Sequence, residues 1–328
     1  MKKIKFNYLF VVLFIFTACK NEIVKKDFTL KGMVFGTTYK ITYLNAEENY
    51  QKALDSLFLD FNNSLSTYIP SSNISKINKG DTTIVVDNNF IEVFNKSKKI
   101  YKQTNGFFDP TVGNLVNAYG FGPKNKKNEL SQEQIALEMN YVGLDKVTLK
   151  GKKISKESPE IYLDFNSIAK GFGIDVVARF LDSKNIDNYL IEIGGEIRAK
   201  GLKKNKEPWL IKLVDPANAD VNGGYKTINL SNKSMATSGN YRKFWVNDSG
   251  KKFVHTINPK TGLAQESNLL SVSVITNLDC ADADAYATAF MAMGLEETKK
   301  IIEKNKDLKV ILLYFDTEDK ITEYSNYQ

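Results

Sequence analysis

Ile161-Tyr162-Leu163-Asp164-Phe165-Asn166-Ser167-Ile168-Ala169-Lys170-Gly171-Phe172-Gly173 is the stretch on which the fold turns. Ile161 to Phe165 reads as a buried strand. From residue 167 the apolar positions fall at helical spacing and continue through Val176, Val177, Phe180 and Leu181, which predicts an amphipathic helix over about 167–183. A helix N-terminus presents free N–H groups, and Lys170 in its first turns adds a cation, so this junction suits phosphate or another anion. A plain helix capped by Asp or Ser, with Lys170 merely solvated, is the alternative. The stretch is not a P-loop, because GxxxxGK[ST] is absent, and Gly171-Phe172-Gly173 lacks the third glycine of a dinucleotide fingerprint.

Upstream, the alternation from Thr29 to Leu44, broken at Gly36, predicts a hairpin or a bulged strand. Leu54, Leu57, Phe58, Phe61 and Leu65 recur at helical spacing, and a second helix is expected from about Asn89 to Lys102. Downstream, strands are predicted at Tyr189–Ile193, Trp209–Val214, Leu270–Ile275 and Lys309–Tyr314, with a long helix over about 280–304. Gly120 to Leu130 is the best linker candidate, yet the composition after it does not change. Strands and helices intermixed in this way predict an α+β fold in a single globular unit.

The chain begins with Lys2, Lys3 and Lys5, an apolar run from Tyr8 to Phe16, and then Thr17-Ala18-Cys19. The order basic, apolar, small is that of a secretory signal, and the run is well short of the ~20 residues of a spanning helix. Small residues before a cysteine resemble a bacterial lipoprotein signal, so residues 1–18 are expected to be removed, Cys19 acylated, and residues 19–27 to form a tether to a domain over 28–328. An ordinary cleaved signal is the alternative. With Cys19 lipidated, Cys280 is the only remaining thiol, and one thiol closes no intrachain disulfide. The net charge of +7 falls to about +4 once the three signal lysines are gone, spread as mixed Lys and Asp/Glu. Without interleaved aromatics or a helix-turn-helix pattern, nucleic acid is a poor partner, although mild attraction to anionic lipid fits.

Four further stretches are richer in polar and glycine residues than their apolar surroundings require. In Cys280 to Ala289, Asp284 and Thr288 lie four apart on one helix face, where two oxygens could share a hard cation; caps and dipole partners are the plainer reading. His255, the single histidine, precedes Thr256-Ile257-Asn258-Pro259-Lys260-Thr261-Gly262. One His without a second thiol makes neither zinc nor haem sites, but it could serve as a general base or contact phosphate, unless it is simply structural. Gly106-Phe107-Phe108-Asp109-Pro110-Thr111 and Ser66-Thr67-Tyr68 set aromatics beside glycine and carboxylate, which suits a flat heterocycle as well as a tight turn. Thr237-Ser238-Gly239-Asn240-Tyr241 is equally ambiguous, and Ser238 lacks a nucleophile-elbow context.

In this order, together with Phe35-Gly36-Thr37-Thr38 and Ile193-Gly194-Gly195-Glu196, these stretches resemble the ApbE family of FAD:protein FMN transferases over about Met33 to Phe315. The resemblance implies a single α+β domain with a mixed, largely antiparallel sheet flanked by helices. It implies FAD as substrate, Mg²⁺ as cofactor, and cleavage of the FAD pyrophosphate. The FMN phosphate would be esterified to a Thr or Ser of an acceptor protein, with release of AMP. Acceptors in the family are subunits of sodium-pumping NADH:quinone reductase and Rnf-type complexes, and members are usually exported or lipid-anchored, here facing the periplasm. Residue by residue, Phe35, Tyr68, Phe107, Phe108 and Asp109 would line the flavin pocket. Asp164, Lys170 and His255 would contact FAD, and Ser167 through its carbonyl would hold Mg²⁺ with Asp284 and Thr288. His255 is the expected general base, with Asp284 as the rival. Phe35 departs from the Met usual before Gly-Thr. Two other readings share the pocket: an Mg²⁺-dependent FAD pyrophosphatase in which water replaces the acceptor hydroxyl, and a non-catalytic flavin-binding lipoprotein.

Overall fold

The computed structural model describes residues 24–123, 126–216, 224–241, 243–264, 267–318 and 320–327. The expected signal and Cys19 lie outside them. The first element is a hairpin of β1 (Lys26–Val34) and β2 (Thr37–Ala46), bulged near Phe28. Its turn is Phe35-Gly36, with φ of 52° and 74°, the two-residue geometry whose twist matches that of the strands. The break read at Gly36 is therefore the turn itself.

Helices α1 (Gln51–Leu65), α2 (Asn73–Asn78), α3 (Asn88–Gln103), α4 (Gly113–Ala118) and α5 (Gln132–Met139) precede a small hairpin of β3 (Val147–Lys150) and β4 (Lys153–Lys156). Then come α6 (Asn166–Ser183), β5 (Tyr189–Ile193), β6 (Glu196–Lys200), β7 (Trp209–Val214), β8 (Gly224–Leu230) and β9 (Lys233–Gly239). The chain finishes with β10 (Phe244–Val246), β11 (Lys252–Val254), β12 (Leu269–Thr276), α7 (Cys280–Met293), α8 (Leu295–Lys304), β13 (Lys309–Phe315) and β14 (Ile321–Ser325). Eight strands form one sheet in the order β1-β2-β5-β6-β9-β12-β13-β14, and every pairing within it is antiparallel. The α+β fold expected from the sequence is the one found.

Alternation along the strands gives the sheet two faces. On one, Ile191 and Ile193 pack with α1 and α6, while Val272, Val274, Val310 and Leu312 join the larger core under α3 and α7. On the other, Leu44, Ile197, Met235 and Ile311 meet the β7–β8 ribbon. A cavity of about 310 Å³ lies under that ribbon, lined by Leu190, Met235, Thr237 and Ser273 among others. None of the site residues expected from the sequence lines it. Strand β6 breaks the apolar rule on the helix face, because Ile197 and Ala199 point to the ribbon side and leave Glu196 and Arg198 under α6.

Two sequence expectations change. Ile161 to Phe165 is not a strand; Tyr162 makes only an isolated parallel bridge with Val112. Side chains take the place of a ladder there, since Tyr162 N–H donates to Asn114 Oδ1 at 2.8 Å and Leu163 N–H to Asn78 Oδ1 at 2.8 Å. The helix expected over 280–304 is two helices, broken at Gly294, whose φ of 81° ends α7. Gly120 to Leu130 does not divide two domains, because Tyr119 and Phe121 are buried against Trp245 and Phe253. Among the described residues no helix is long and apolar enough to cross a membrane.

Candidate active site

The start of α6 is where charge gathers. Asp164 Oδ1 accepts the Asn166 N–H at 2.8 Å, so a carboxylate meets the free amides of the first turn. One turn on, Lys170 Nζ lies 3.2 Å from Glu196 Oε1 and 3.8 Å from Asp284 Oδ1. The Lys170 stem passes the Gly194-Gly195 turn, where Gly194 has a φ of 63°. A Cβ on Gly194 would stand 3.3 Å from Lys170 Cδ and 2.8 Å from Thr37 Cγ2, so glycine serves both the backbone and the approach.

Helix α7 closes the cluster. The Gly171 N–H donates to Asp284 Oδ2 at 3.0 Å, in a helix where the i+4 geometry also turns the Ser167 carbonyl toward that amide. Thr288, one turn beyond Asp284, places Oγ1 3.4 Å from Ser238 Oγ of β9. The contact between α6 and α7 is backbone on backbone, since a Cβ at Gly171 would be 2.3 Å from the Cys280 carbonyl oxygen. Among the described residues no three His, Cys, Asp or Glu side chains gather as a metal cluster. A cation here would rest on one buried carboxylate, a hydroxyl and a carbonyl. That all-oxygen, sparse set fits a hard ion that keeps coordination positions for phosphate oxygens, and does not fit zinc.

A second group lies around Asp164. Burial pushes its carboxyl above the usual range, against the Asn166 hydrogen bond and the charge of Lys243. Burial in turn lowers Lys243, whose Nζ donates to the Phe121 carbonyl at 2.8 Å. The His255 ring is tied to the same residue: Nδ1 is 3.1 Å from the Lys243 carbonyl oxygen. A carbonyl only accepts, so Nδ1 carries the proton and Nε2 is the basic nitrogen. Tyr68, half exposed, feels Asp164 and Tyr162, and burial raises its phenol. Gly113, the first residue of α4, approaches Asp164 so closely that a Cβ there would be 3.0 Å from the Asp164 Cβ.

The aromatics expected along one flavin wall are dispersed. Phe108 is 1% exposed within the main core, where its N–H donates to Thr104 Oγ1 at 3.0 Å. The left-handed Asn105-Gly106 turn, with φ of 50° and 76°, drives Phe108 inward. Phe107 lines a different cavity of about 530 Å³ with Gln103, Tyr286 and Met293, and Lys260 Nζ stands 5.8 Å from its ring centre. Asp109 is buried and grips its own loop: its carboxylate accepts from Thr111 N, Thr111 Oγ1 and Leu144 N. Phe35 packs on Phe61, ring centres 4.3 Å apart, and against the α6 backbone at Gly173. Sequence reasoning assigned no role to Glu196, Arg198, Asp175, Ser238 or Lys243. A signal was present for the first two: Glu196, Arg198 and Lys200 put charges at alternate positions of a strand whose other residues, Ile197 and Ala199, are apolar.

Residues 35–312 match the ApbE family. The chain is 36% identical to the FAD:protein FMN transferase of Haemophilus influenzae over 310 residues, which covers 90% of this chain and 88% of that protein. It is 34% identical to the protein of the same name from Vibrio cholerae, covering 90% of each. The fold is similar to that of the flavin transferase ApbE from Vibrio cholerae, with a TM-score of 0.81, 33% identity, and 92% of this chain and 97% of the other covered. The flavinyl transferase ApbE of Pseudomonas stutzeri, in its apo form, is similar at a TM-score of 0.81 and 26% identity, with 92% and 95% covered.

Proposed function

The chain belongs to the ApbE family and is an FAD:protein FMN transferase, and from that premise we propose how its residues divide the reaction. The bond broken joins the two phosphates of FAD. The bond made joins the FMN phosphate to a Ser or Thr oxygen of an acceptor protein; AMP departs, and the hydroxyl proton goes to a base. Such a transfer asks the protein for alignment and charge neutralisation more than covalent help.

The observation that carries the assignment is the convergence of Lys170, Asp284 and the α6 N-terminus. Lys170 and the α6 amides hold the pyrophosphate oxygens. Ser167 through its carbonyl, Asp284 and Thr288 would hold Mg²⁺, which would supply Lewis-acid stabilisation of charge at the pyrophosphate. His255, through Nε2, takes the acceptor proton. Tyr68 and Asp164 contact the flavin nucleotide; Asp109, whose carboxylate is taken by Thr111 and Leu144, holds the loop behind them, and Phe35 and Phe108 pack in the core. Acceptors are subunits of sodium-pumping NADH:quinone reductase or Rnf-type complexes. The enzyme is held to the membrane by acylated Cys19 and faces the periplasm.

The test mixes the purified protein with FAD, Mg²⁺ and an acceptor domain and weighs the acceptor after denaturing separation. An FMN-sized gain on one Thr or Ser that vanishes with EDTA is expected. Free FMN and AMP in equal amounts with an unmodified acceptor would support the pyrophosphatase instead. Retained FAD with neither product would leave a flavin-binding lipoprotein.

A further inference from the structure

The buried carboxylate Asp175 takes no part in the chemistry above, yet it is 0% exposed and fully bonded. Oδ1 accepts the Cys280 N–H at 2.9 Å and an Arg198 Nη1–H at 2.5 Å, and Oδ2 accepts the Ala281 N–H at 2.9 Å. Asp175 sits four residues after Gly171 on α6, and Cys280 and Ala281 open α7. The two helices are therefore pinned reciprocally. A carboxylate of α6 takes the first amides of α7, and a carboxylate of α7, Asp284, takes an amide in the first turns of α6. Between these two pins the backbones touch at Gly171 and Cys280.

The pin is held in turn by the sheet. Glu196 and Arg198 are two residues apart on β6 and face α6, one bonding Lys170 and the other Asp175. Their spacing of about 7 Å along the strand matches the five residues of helix from Lys170 to Asp175, about 7.5 Å. Arg198 also reaches Asp279 at 3.0 Å, and Lys96 of α3 reaches Asp279 and Asp282 at 2.8 Å each. One carboxylate thus joins α6, β6 and the start of α7, next to the pin that sets Gly171 against Asp284.

We infer that Asp175 is a positioning residue that sets the α6–α7 spacing at which Ser167, Asp284 and Thr288 together hold a divalent cation. The inference rests on the metal assignment proposed above. Asn at position 175 keeps the size but turns an N–H₂ group toward one of the amides or toward Arg198, so the start of α7 must shift.

The experiment uses the full chain. It measures Mn²⁺ binding directly, by the paramagnetic signal of the free ion with FAD present, and transfer rate against Mg²⁺ concentration. Asp175→Asn is expected to weaken Mn²⁺ binding and raise half-saturating Mg²⁺ by about tenfold, with the KM for FAD within about twofold and most of the rate recovered at saturating Mg²⁺. Val177→Ala, a core change on the same helix, controls for lost stability and should leave both metal readings unchanged. Wild-type metal binding in Asp175→Asn, or the same loss in Val177→Ala, overturns the positioning role. If Asp284→Ala and wild type bind Mn²⁺ equally, the metal assignment itself fails and this inference falls with it.

Discussion

His255 and Asp284 are separate bets on the same reaction, and each has its own signature. The Lys243 carbonyl fixes the proton on Nδ1 and so leaves Nε2 as the basic nitrogen. General bases typically contribute 10²–10⁴-fold, so His255→Ala should slow single-turnover FMN transfer by at least about a hundredfold. A wild-type rate would remove His255 from proton transfer. Asp284 is the sole carboxylate of the proposed cation set, and its Oδ2 also takes the Gly171 amide. Asp284→Ala should lower transfer by roughly a thousandfold, about 4 kcal/mol in the barrier. Unchanged activity at limiting Mg²⁺ would exclude it. These residue types and their spacing were legible in the chain; that His255 is tied to Lys243 across the end of the β10–β11 ribbon, and Lys243 coupled to the sequence-distant Asp164, was not, because both depend on which segments meet in the fold.

At the scale of elements the site is the crossing of α6 and α7. In an exposed helix interior, replacing Gly by Ala stabilises by up to about 1 kcal/mol. At Gly171 the sign reverses, because the new Cβ would lie 2.3 Å from the Cys280 carbonyl and 2.8 Å from the Ala281 Cα, both backbone atoms that yield only if a helix moves. Gly171→Ala should destabilise the protein by about 1–3 kcal/mol and impair transfer. Urea unfolding reads the first effect and the acceptor mass assay the second; a stabilised, fully active variant would show that the crossing is loose. The helix itself was readable from its apolar spacing. The segment before it is not the expected strand, because a run of five residues with four apolar or aromatic side chains carries no sign that Asn78 and Asn114 will satisfy its backbone.

For the whole molecule, the network around Asp175 gives stability a pH dependence. Burial, reinforced by the neighbouring Asp279 charge, pushes the Asp175 carboxyl up to about 6 from 3.8. The native state then holds this proton more tightly than the unfolded chain. The contribution is fully present below pH 3.8 and is lost as pH rises through 6, in total on the order of 3 kcal/mol. Asp175→Asn should remove that component, so the difference in urea midpoint between variant and wild type should change with pH across 4 to 6. A constant difference would show that Asp175 titrates normally. The proposed anchor is also tested on the whole chain: Cys19→Ala should move the protein from the membrane fraction to the soluble fraction. Unchanged membrane retention would refute acylation as the anchor.

The sequence by itself determined the α+β class, the main strands and helices, and the residue types able to handle a flavin pyrophosphate, because period, turn chemistry and motif order are local properties of the chain. The close approach of α6 to α7, the charged helix-facing side of β6, and the burial of Phe108 in the main core were decided only by the tertiary structure. Those outcomes depend on which surfaces meet. Glu196 beneath Lys170 and Arg198 beneath Asp175 acquire meaning only when a strand with a period of two is laid against a helix rising 1.5 Å per residue.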